Sequence, residues 1–415
     1  MLDIKFIREN TDAIKQNCRN RNVKVDVDFL LELDERRRNF QQQIDALRAE
    51  RNHVSKGKPS EDEIGHMREV GEKIKQFEEQ LEKTQIEYNE LLLRVPNLTH
   101  PDSPIGGEEN FKIIEERGKK STFNFTPKDH EEIMTDLDLI DFERGAKVTG
   151  SKFYFVKNDM VRLNQALLNY GMDIVTRRGF TLIETPDLAK HEILTGAGFN
   201  PRGEEKQIYN IENENMSLVG TAEITMLGYH ANEVLDLNEG PKKYVALSHC
   251  FRTEAGSYGR TSKGLYRVHQ FTKLEMFIFC KPEESEKMHE ELLNIEKEIC
   301  DGLGFNYRVI DIASGDLGGP AYRKYDLEAY MVMQDGFGEI TSTSNCTDYQ
   351  SRRLNIKYKT DEGQSEYVHT LNGTAIVLSR FPIAIIEQFQ QADGTIQIPA
   401  VLQKFMGKKL IKLHA

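Results

Sequence analysis

The feature that most constrains the fold is a long stretch, residues 27–95, in which apolar side chains recur at alternating steps of three and four. This spacing places one apolar stripe along a helix, as in the seam of a coiled coil. The seam positions that share this apolar character are Leu30, Leu33, Phe40, Ile44, Leu47 and Val54 in the first half, and Met67, Val70, Ile74, Phe77, Leu81, Tyr88, Leu91 and Val95 in the second half. We therefore predict one helix in each half.

The two halves are separated by the sequence SKGKPSED. Gly57 and Pro59 break a helix there, and Ser60 with Glu63 has the spacing of a capping box for the second helix. An α-helix rises about 1.5 Å per residue, so two helices of about 27 residues make an arm on the order of 40 Å long. We predict an antiparallel helical hairpin, for which a dimerisation coil, a solvated spacer and a platform for a large partner are alternatives.

Composition restricts the class of protein without identifying it. The chain has 415 residues, of which 38% are hydrophobic, and this is enough to build the cores of two or three domains. Its net charge of -12 argues against nucleic-acid binding over the whole surface, so an RNA contact should be confined to one region. No apolar run approaches the length of a membrane span and the N-terminus lacks a signal-peptide pattern, so we expect a cytoplasmic protein with no membrane partner.

The cysteines and histidines predict no zinc site. The five cysteines are odd in number and form no CxxC pair, and the eleven histidines show no HExxH pattern. Widely spaced cysteines of this kind are typical of reduced intracellular thiols.

A linker rich in proline and glycine, PNLTHPDSPIGG, follows the arm. We therefore divide the chain into an N-terminal domain at residues 1–105 and a second domain at residues 106–415. In the second domain, residues 157–178 have helical apolar spacing and end at Gly179, with a strand around residues 180–183. By itself this pattern indicates only a core helix that leads into a strand.

A glycine-rich hairpin is predicted at FRTEAGSYGRTSKGLYRVHQFTKLE, residues 251–275. Arg252 and Glu254 would alternate on one face of its first strand, and Arg267, Phe271 and Glu275 would lie on its second strand. A guanidinium binds carboxylate or phosphate oxygens through two parallel hydrogen bonds, so this hairpin suits a nucleotide. Cross-strand Arg/Glu pairs in an ordinary charged hairpin are the alternative. The chain has no GxxxxGKS, GxxxxGKT or GxGxxG, which removes the two common phosphate-loop folds.

The hairpin resembles motif 2 of the class II aminoacyl-tRNA synthetases, whose FRxE opening is present at residues 251–254 and whose closing strand is present at residues 267–271. The specific similarity is to seryl-tRNA synthetases of bacterial type, and it extends over nearly the full chain. It implies an α+β fold, with an N-terminal antiparallel two-helix coiled-coil arm and a class II catalytic domain built on an antiparallel β-sheet flanked by helices. The helix and strand at residues 157–186 then resemble motif 1, which forms much of a homodimer interface in that family.

Two further segments carry the resemblance to the amino-acid site of the family. The TxE element at residues 221–223 binds the ammonium group there, and the LNGTAIVLSR segment resembles motif 3. The implied serine-binding residues are Thr221, Glu223, Arg252, Glu275, Asn372 and Thr374. Residues 375–379 depart from the family, because a smaller run that contains glycine is usual at that place.

The segment EITS at residues 339–342 resembles the part of the family that holds ATP and magnesium. Oxygen ligands are what Mg²⁺ prefers, so Glu339 and Ser342 are the implied ligands of an Mg²⁺ ion that enters with ATP. The implied catalytic residues are Arg252, which bridges the carboxylate and the α-phosphate, Glu254, which with Phe271 places adenine, and Arg380, which binds the terminal phosphate. The implied ATP-binding residues are Arg252, Thr253, Glu254, Arg267, Val268, Phe271, Glu339, Ile340, Thr341, Ser342 and Arg380.

The resemblance implies a two-step reaction in which L-serine and ATP form seryl-adenylate and the seryl group then passes to the 3′ end of tRNA(Ser). The family also implies tRNA(Sec) as a partner in organisms that have it. The arm would lie against the tRNA, with predicted contacts at Arg36, Arg37, Arg48 and Arg51. Two alternatives are a paralogue that loads a carrier protein or acts as a regulator, and a coiled-coil scaffold that binds nucleotide without chemistry.

Overall fold

The computed structural model describes residues 1–54, 60–199, 208–254 and 264–413. The chain divides into two compact units, Met1–Leu98 and Thr99–Ala415. Among the described residues, no helix has the length and hydropathy needed to cross a membrane. The predicted helix breakers Gly57 and Pro59 lie outside the described residues, as does most of the glycine-rich part of the predicted hairpin.

The first unit is helical. Its helices are α1 (Ile4–Glu9), α2 (Thr11–Asn20), α3 (Val27–Val54) and α4 (Glu61–Arg94). The predicted capping box is present, because the Ser60 side chain accepts from the Glu63 backbone and the Glu63 carboxylate accepts from the Ser60 backbone N–H at 2.7 Å. The two long helices are antiparallel, since contacts pair Arg37 with Tyr88 and Arg48 with Glu78.

The predicted seam holds α3 and α4 together. Ile44, Val70 and Ile74 are at most 5% exposed. The partly buried side chains that pack against them are Leu47, Met67, Phe77 and Leu81. The two-helix arm predicted from the three-and-four spacing is therefore confirmed.

The second unit contains nine further described helices and seventeen described strands. The helices are α5 (His130–Asp136), α6 (Phe142–Thr149), α7 (Asn158–Arg177), α8 (His191–Ala197), α9 (Ala222–Tyr229), α10 (Ser285–Leu303), α11 (Tyr349–Leu354), α12 (Phe381–Gln388) and α13 (Ala400–Met406). The first nine strands are β1 (Lys112–Arg117), β2 (Ile140–Asp141), β3 (Phe155–Val156), β4 (Thr181–Glu184), β5 (Leu188–Lys190), β6 (Met216–Leu218), β7 (Val234–Leu235), β8 (Lys242–Phe251) and β9 (Gln270–Cys280). The other strands are β10 (Tyr307–Asp311), β11 (Arg323–Met331), β12 (Gly336–Asn345), β13 (Lys357–Lys359), β14 (Ser365–Tyr367), β15 (His369–Val377), β16 (Ile396–Gln397) and β17 (Leu410–Ile411).

One large sheet organises this unit. Its order is β1-β10-β11-β12-β15-β9-β8-β4, and every neighbouring pair is antiparallel except β4 with β8. Alternation along β9 separates two layers: Leu274 and Met276 join the core that contains α7 and α10, whereas Phe277 and Phe279 join the core that contains α9. The predicted antiparallel sheet flanked by helices is confirmed.

The helix and strand predicted around residues 157–183 are both present. Helix α7 ends one residue before Arg178, and Gly179 adopts a φ of 82°, a left-handed conformation that favours glycine. Strand β4 forms one edge of the large sheet. In the middle of α7, a Cβ on Gly171 would come 2.7 Å from Ile376 Cγ1, so the helix crosses β15 at close range.

Candidate active site

The face of the large sheet that looks toward α9 carries a cluster of buried polar side chains. On β9, Lys273 and Glu275 share this face with Phe277, because residues two apart point the same way. The register between β9 and β15 pairs Glu275 with Thr374 and Phe277 with Asn372. The side chain of Thr221 caps the N-terminus of α9 next to them. Three segments far apart in the sequence therefore meet at one place.

Glu275 lies at the centre of this cluster and is 1% exposed. One of its carboxylate oxygens, Oε2, accepts from Thr221 Oγ1 and from the Glu223 backbone N–H at 3.2 Å. The other oxygen, Oε1, lies 2.8 Å from Lys273 Nζ. Burial by itself raises the pKa of this carboxyl, but the Lys273 charge and these hydrogen bonds outweigh burial and lower it below its usual value. These contacts favour the ionised form of Glu275.

Glu223 is the second buried carboxyl of the cluster. Its Oε1 accepts from Gln350 Nε2 at 2.5 Å, and its Oε2 accepts from Asn372 Nδ2 at 3.2 Å. Burial, together with the negative charge of Glu275, raises the pKa of Glu223 to about 7. Added positive charge would favour the ionised form of Glu223.

Asn372 joins the two carboxyls and also presents an acceptor. Its Nδ2 lies 3.2 Å from Glu223 Oε2 and 3.5 Å from Glu275 Oε1. Its Oδ1 is buried, and no group of the described residues donates a hydrogen bond to it. A buried acceptor without a donor costs free energy. Two carboxylates and one such acceptor suit a small ligand that brings an ammonium group and a hydroxyl.

A β-bulge shapes the neighbouring strand β12. Glu339 and Ser342 are three residues apart, so in a regular strand they would point to opposite faces. The register of β11 and β12 shifts between these residues, pairing Asp326 with Ser342 and Glu328 with Glu339. Because Asp326 and Glu328 share a face of β11, their partners Glu339 and Ser342 share a face of β12. The bulge at Ile340 thus brings the two predicted magnesium ligands together.

Asp326 adds a second carboxyl beside these two residues. It is 5% exposed, its Oδ2 lies 3.2 Å from Lys324 Nζ, and its Oδ1 has no hydrogen-bond partner among the described residues. Burial raises the pKa of Asp326 to about 8, and the charge of Glu339 acts in the same direction. Nearby positive charge would favour the ionised form of Asp326.

Glu339 is paired with the arginine predicted to bind the terminal phosphate. Arg380 Nη1 lies 2.8 Å from Glu339 Oε1 and 3.1 Å from the Glu339 carbonyl oxygen. Its guanidinium also lies over the ring of Tyr266, at 5.1 Å from the centroid. Burial by itself raises the pKa of Glu339, but the charges of Arg380 and Lys324 outweigh burial and lower it to about 2.

The predicted hairpin differs from the structure at its ends. Arg252 and Glu254 lie beyond the end of β8 at Phe251, and Arg267 lies before the start of β9 at Gln270. The prediction that these residues sit within the strands is wrong for two physical reasons. The Arg252 N–H still donates to the His269 carbonyl oxygen at 3.0 Å, but the His269 N–H donates to the Lys152 carbonyl oxygen and only its ring reaches the Arg252 carbonyl oxygen, at 2.9 Å. Glu254 then leaves the extended conformation with a φ of 52°.

Arg252 nevertheless remains close to the cluster. Its Nε donates to the Gly220 carbonyl oxygen at 3.2 Å, next to Thr221, and its guanidinium lies 5.3 Å from the ring centroid of Phe271. At the same end of the sheet, Arg267 Nη1 lies 3.3 Å from Glu254 Oε2. One guanidinium group, stacked near an aromatic ring, therefore stands next to the cluster, and a second is paired with Glu254.

Comparison with known proteins decides the family. The family description "Seryl-tRNA synthetase N-terminal domain" matches residues 1–99, and "tRNA synthetase class II core domain (G, H, P, S and T)" matches residues 207–389. A serine–tRNA ligase of Treponema denticola is 51% identical over 98% of this chain and 99% of its own length. The chain belongs to the seryl-tRNA synthetase family.

Solved structures of the same family have the same fold. A crystal structure of seryl-tRNA synthetase from Pyrococcus horikoshii complexed with ATP has a TM-score of 0.92 and 38% sequence identity, with both chains covered completely. The cytoplasmic serine–tRNA ligase of Naegleria fowleri in complex with AMP has a TM-score of 0.87 and 32% identity, covering 100% of this chain and 99% of that one. The resemblance inferred from the sequence motifs is confirmed.

Some residues predicted from the motifs lie away from the open face of the sheet. Ile340 is fully buried in the hydrophobic core, and Thr341 donates its hydroxyl to Glu296 of α10 at 2.9 Å. Val268 is also part of the core, at 2% exposure. Thr253 lies directly after Arg252, outside the strands. Any contact that Val268, Ile340 and Thr341 make with a nucleotide therefore involves their backbone atoms.

Several polar residues of the site were not predicted from the sequence, and three of them contact or face predicted ones. Lys273 holds Glu275, Gln350 holds Glu223, and Asp326 faces Ser342. The spacing of two between Lys273 and Glu275 in a predicted strand is a signal that was available. Gln350 and Asp326 carried no such signal, since only the packing of α11 and the register of β11 bring them to the site.

The predicted RNA contacts in the first unit lie on α3. Arg36, Arg48 and Arg51 are exposed. Arg37 is partly buried, since its Nη2 lies 2.9 Å from an oxygen of the fully buried Asp34 and its guanidinium lies over Tyr88. Arg37 therefore contributes to the packing of the arm itself.

The described part of the chain contains no group of three or more His, Cys, Asp and Glu side chains that could hold a metal ion. The five cysteines are buried and free. Mg²⁺ differs from zinc here, because it commonly binds one or two carboxylates and takes its other ligands from substrate phosphates and water.

Proposed function

We propose that this chain is a serine–tRNA ligase, which activates L-serine with ATP and transfers the seryl group to the 3′ end of tRNA(Ser) and, in organisms that have it, of tRNA(Sec). The observation that carries the proposal is the cluster of Glu223, Glu275 and Asn372, in which two buried carboxyls flank a buried acceptor without a donor among the described residues. It has the groups needed to bind a small amino acid through its ammonium and hydroxyl groups.

In this proposal the serine ammonium lies between Thr221, Glu223 and Glu275. Lys273 neutralises part of the negative charge there, so that the two carboxyls together carry about one uncompensated charge for one ammonium. Asn372 Oδ1 accepts the serine hydroxyl, and Thr374, opposite Glu275 in the sheet, forms the wall beside it. A site that pairs buried groups with a hydroxyl rejects the analogue that lacks it, so alanine is a poor substrate.

Arg252 and Arg380 act on the nucleotide in this proposal. Arg252 holds the serine carboxylate and the α-phosphate in one plane, since a guanidinium binds both through parallel hydrogen bonds. Glu254 and Phe271 place the adenine, with Arg267 beside them, and Arg380 binds the terminal phosphate. The carboxylate of serine attacks the α-phosphate and pyrophosphate leaves. Catalysis comes from positioning and from compensation of charge rather than from covalent chemistry of the protein.

Mg²⁺ that enters with ATP is part of the same proposal. The residues present fit it, because Glu339, Ser342 and the Asp326 oxygen that has no partner among the described residues offer oxygen ligands on one face of the sheet. When bound, the ion would neutralise charge on the phosphates. Arg380 is then free to exchange its bond with Glu339 for one with a phosphate oxygen.

The remaining parts of the proposal follow the family. Residues 1–105 form the tRNA-binding domain, and Arg36, Arg37, Arg48 and Arg51 of its arm contact the RNA. Residues 106–415 form the catalytic domain, and two copies associate through the helix and strand at residues 157–186. The protein acts in the cytoplasm.

Serine-dependent exchange of pyrophosphate into ATP tests the adenylating site, with alanine, threonine and cysteine measured alongside. We expect exchange with serine alone. Exchange without any charging of tRNA(Ser) would favour a paralogue that loads another acceptor. No exchange by a folded protein that binds ATP would favour the nucleotide-binding scaffold.

Two substitutions test the pocket assignment. Thr374→Val removes one hydroxyl and should raise the KM for serine by about fivefold, whereas Glu275→Ala removes a charged partner and should raise it by about a hundredfold. The KM for ATP should change by less than about twofold in the first variant, since that hydroxyl lies in the serine pocket and not against the phosphates. Thr135→Val, which removes the hydroxyl that donates to the Glu131 carbonyl oxygen on the exposed side of α5, is the control. An unchanged KM for serine in both pocket variants would show that the pocket lies elsewhere.

A further inference from the structure

A buried glutamine of α11 stands directly behind the proposed ammonium site. Gln350 is 0% exposed and makes hydrogen bonds to three groups through its side chain. Its Nε2 donates to the Ala197 carbonyl oxygen at 3.0 Å and to Glu223 Oε1 at 2.5 Å, and its Oε1 accepts from Thr370 Oγ1 at 2.7 Å. One amide therefore connects the end of α8, strand β15 and the start of α9.

The orientation of this amide has one solution. The Ala197 carbonyl oxygen only accepts hydrogen bonds, so the nitrogen of Gln350 must face it. The second hydrogen of the same nitrogen then points to Glu223 Oε1, and the amide oxygen is left for the Thr370 hydroxyl. Glu223 thus receives a donor whose direction is fixed by two groups that do not belong to the pocket.

The other oxygen of Glu223 is held by Asn372 Nδ2 at 3.2 Å. Two amides, one on α11 and one on β15, therefore fix the plane of the carboxyl. Asn372 faces the proposed serine site, whereas Gln350 lies on the far side of Glu223.

We propose that Gln350 is a positioning residue for serine, which orients Glu223 toward the ammonium group and favours its charged form. The proposal rests on the proposed function, because it gives Glu223 a substrate to bind. Gln350 touches neither serine nor ATP in it.

The charged groups around Glu223 show why this amide matters. The negative charge of Glu275 on β9 disfavours ionisation of Glu223. The positive charges of Lys273 on β9 and Arg252 beyond the end of β8 favour it. Burial raises the pKa of Glu223 most strongly, and the Gln350 hydrogen bond works against burial. Without that donor the pKa of Glu223 rises, so less of the acid is charged near neutral pH and the ammonium of serine binds less tightly.

The test is Gln350→Met, which keeps the length of the side chain and removes its hydrogen bonds. A hydrogen bond to a charged group contributes more free energy than one between neutral groups, so we expect the KM for serine to rise at least about tenfold at pH 7. The KM for ATP should change by less than about twofold. Raising the pH from about 6 to about 8 should lower the KM for serine more steeply in this variant than in the unsubstituted protein, because the pKa of Glu223, already about 7, rises further without the Gln350 donor.

Gln388→Met is the matched control. Gln388 is 5% exposed and also makes side-chain hydrogen bonds to three groups, which are the Asn306 carbonyl oxygen, the Tyr330 carbonyl oxygen and the Asn306 N–H. It lies at the end of α12, outside the site. We expect a similar loss of thermal stability in both variants and an unchanged KM for serine in this one.

Thr370→Val provides a milder variant, because it removes only the donor that anchors the Gln350 oxygen. It should raise the KM for serine by about threefold, because only one hydrogen bond between neutral groups is lost. A KM for serine that stays normal in both the Gln350 and Thr370 variants overturns the proposal, as does an equal rise of the serine and ATP KM values. If the unsubstituted protein itself shows no serine-dependent exchange, the proposed function fails, which is a different result.

Discussion

Lys273→Met is the sharpest test of how the charges of the site are balanced. Lys273 Nζ lies 2.8 Å from Glu275 Oε1 and 2.8 Å from Thr221 Oγ1, and the two charged side chains are only 8% and 1% exposed. Removal of one partner from a buried ion pair costs about 3–5 kcal/mol, since the other charge stays buried without compensation. Because both side chains are so little exposed, solvent screens little of the interaction between their charges. We therefore expect the second unit to lose about 3–5 kcal/mol of unfolding free energy near pH 8.

The same substitution should make stability depend on pH in a defined direction. In the unsubstituted protein the pKa of Glu275 is lowered, so its stabilising contribution is present above the unfolded-state pKa of about 4.3 and is lost as the pH falls. Without Lys273, burial and the charge of Glu223 raise the pKa of Glu275. A proton taken up at low pH then relieves the repulsion. The loss of stability should be largest at about pH 8 and smaller at about pH 5.

The assay is urea unfolding of the full chain at these two pH values, combined with the KM for serine at each. Lys243→Met is the control, because Lys243 Nζ on β8 lies 2.7 Å from Glu291 Oε1 on α10 but the two side chains are 19% and 22% exposed. That pair should contribute no more than about 1 kcal/mol, equally at both pH values. An equal loss of stability at both pH values in the Lys273 variant would refute the reasoning, as would an unchanged KM for serine.

Substitutions at Gly171 and Glu296 test the packing behind the site, with Gly71 in the arm as a control. Gly171→Ala places a Cβ 2.7 Å from Ile376 Cγ1, so we expect it to lower the unfolding free energy by about 1–3 kcal/mol. A Cβ on Gly71 would meet no atom within 4 Å, so Gly71→Ala should stabilise α4 by up to about 1 kcal/mol. Burial raises the pKa of Glu296 well above its usual value, so Glu296→Gln should be at least as stable as the unsubstituted protein near pH 8. Glu296→Leu should instead lower the unfolding free energy by about 1–3 kcal/mol, because the Thr341 hydroxyl loses its acceptor. Urea unfolding near pH 8 measures both. Normal stability after Gly171→Ala would contradict the first expectation, and lower stability after Glu296→Gln than after Glu296→Leu would contradict the second.

The arm could be predicted from the sequence because its information is local. A seam such as Ile44, Val70 and Ile74 follows from the helical period alone, and the capping box at Ser60 needs only a spacing of three. Helix α7 with its terminal Gly179 is of the same kind. No distant part of the chain has to be known to place these elements.

The sheet and the site were less predictable, because strand ends and bulges depend on distant partners. Strand β8 ends where His269 turns its backbone N–H to Lys152 and its ring to the Arg252 carbonyl oxygen. The shared face of Glu339 and Ser342 depends on how β12 pairs with β11. Motif resemblance predicted the site residues without predicting their geometry. Gln350 was missed because α11 reaches Glu223 only through the tertiary fold.

Two bulges shape the face of the large sheet that carries the site, and the one in β12 adds to its charge. Strand β12 shifts register at Ile340, which turns Glu339 toward Asp326, and strand β15 shifts between Thr374 and Ile376, next to the proposed serine pocket. A regular ladder would place alternate residues of each strand in the core that contains α7 and α10, where an unpaired charge is costly. The bulge in β12 instead keeps Glu339 and Ser342 on one side while Ile340 stays in the core, and Ile376, after the shift in β15, also stays in the core.

Two ion pairs lie on this face, and in the proposed function they determine how each substrate binds. Glu275 is paired with Lys273, and Glu339 is paired with Arg380. An ammonium bound between Glu223 and Glu275 leaves the Lys273–Glu275 pair in place, because the Glu223 carboxyl has no cation of its own among the described residues and can pair with the ammonium. In the proposed function, a triphosphate takes Arg380 from Glu339. Glu339 then needs another cation, which Mg²⁺ would supply. Serine binding should therefore depend on pH through Glu223, whereas ATP binding should depend on the metal through Glu339.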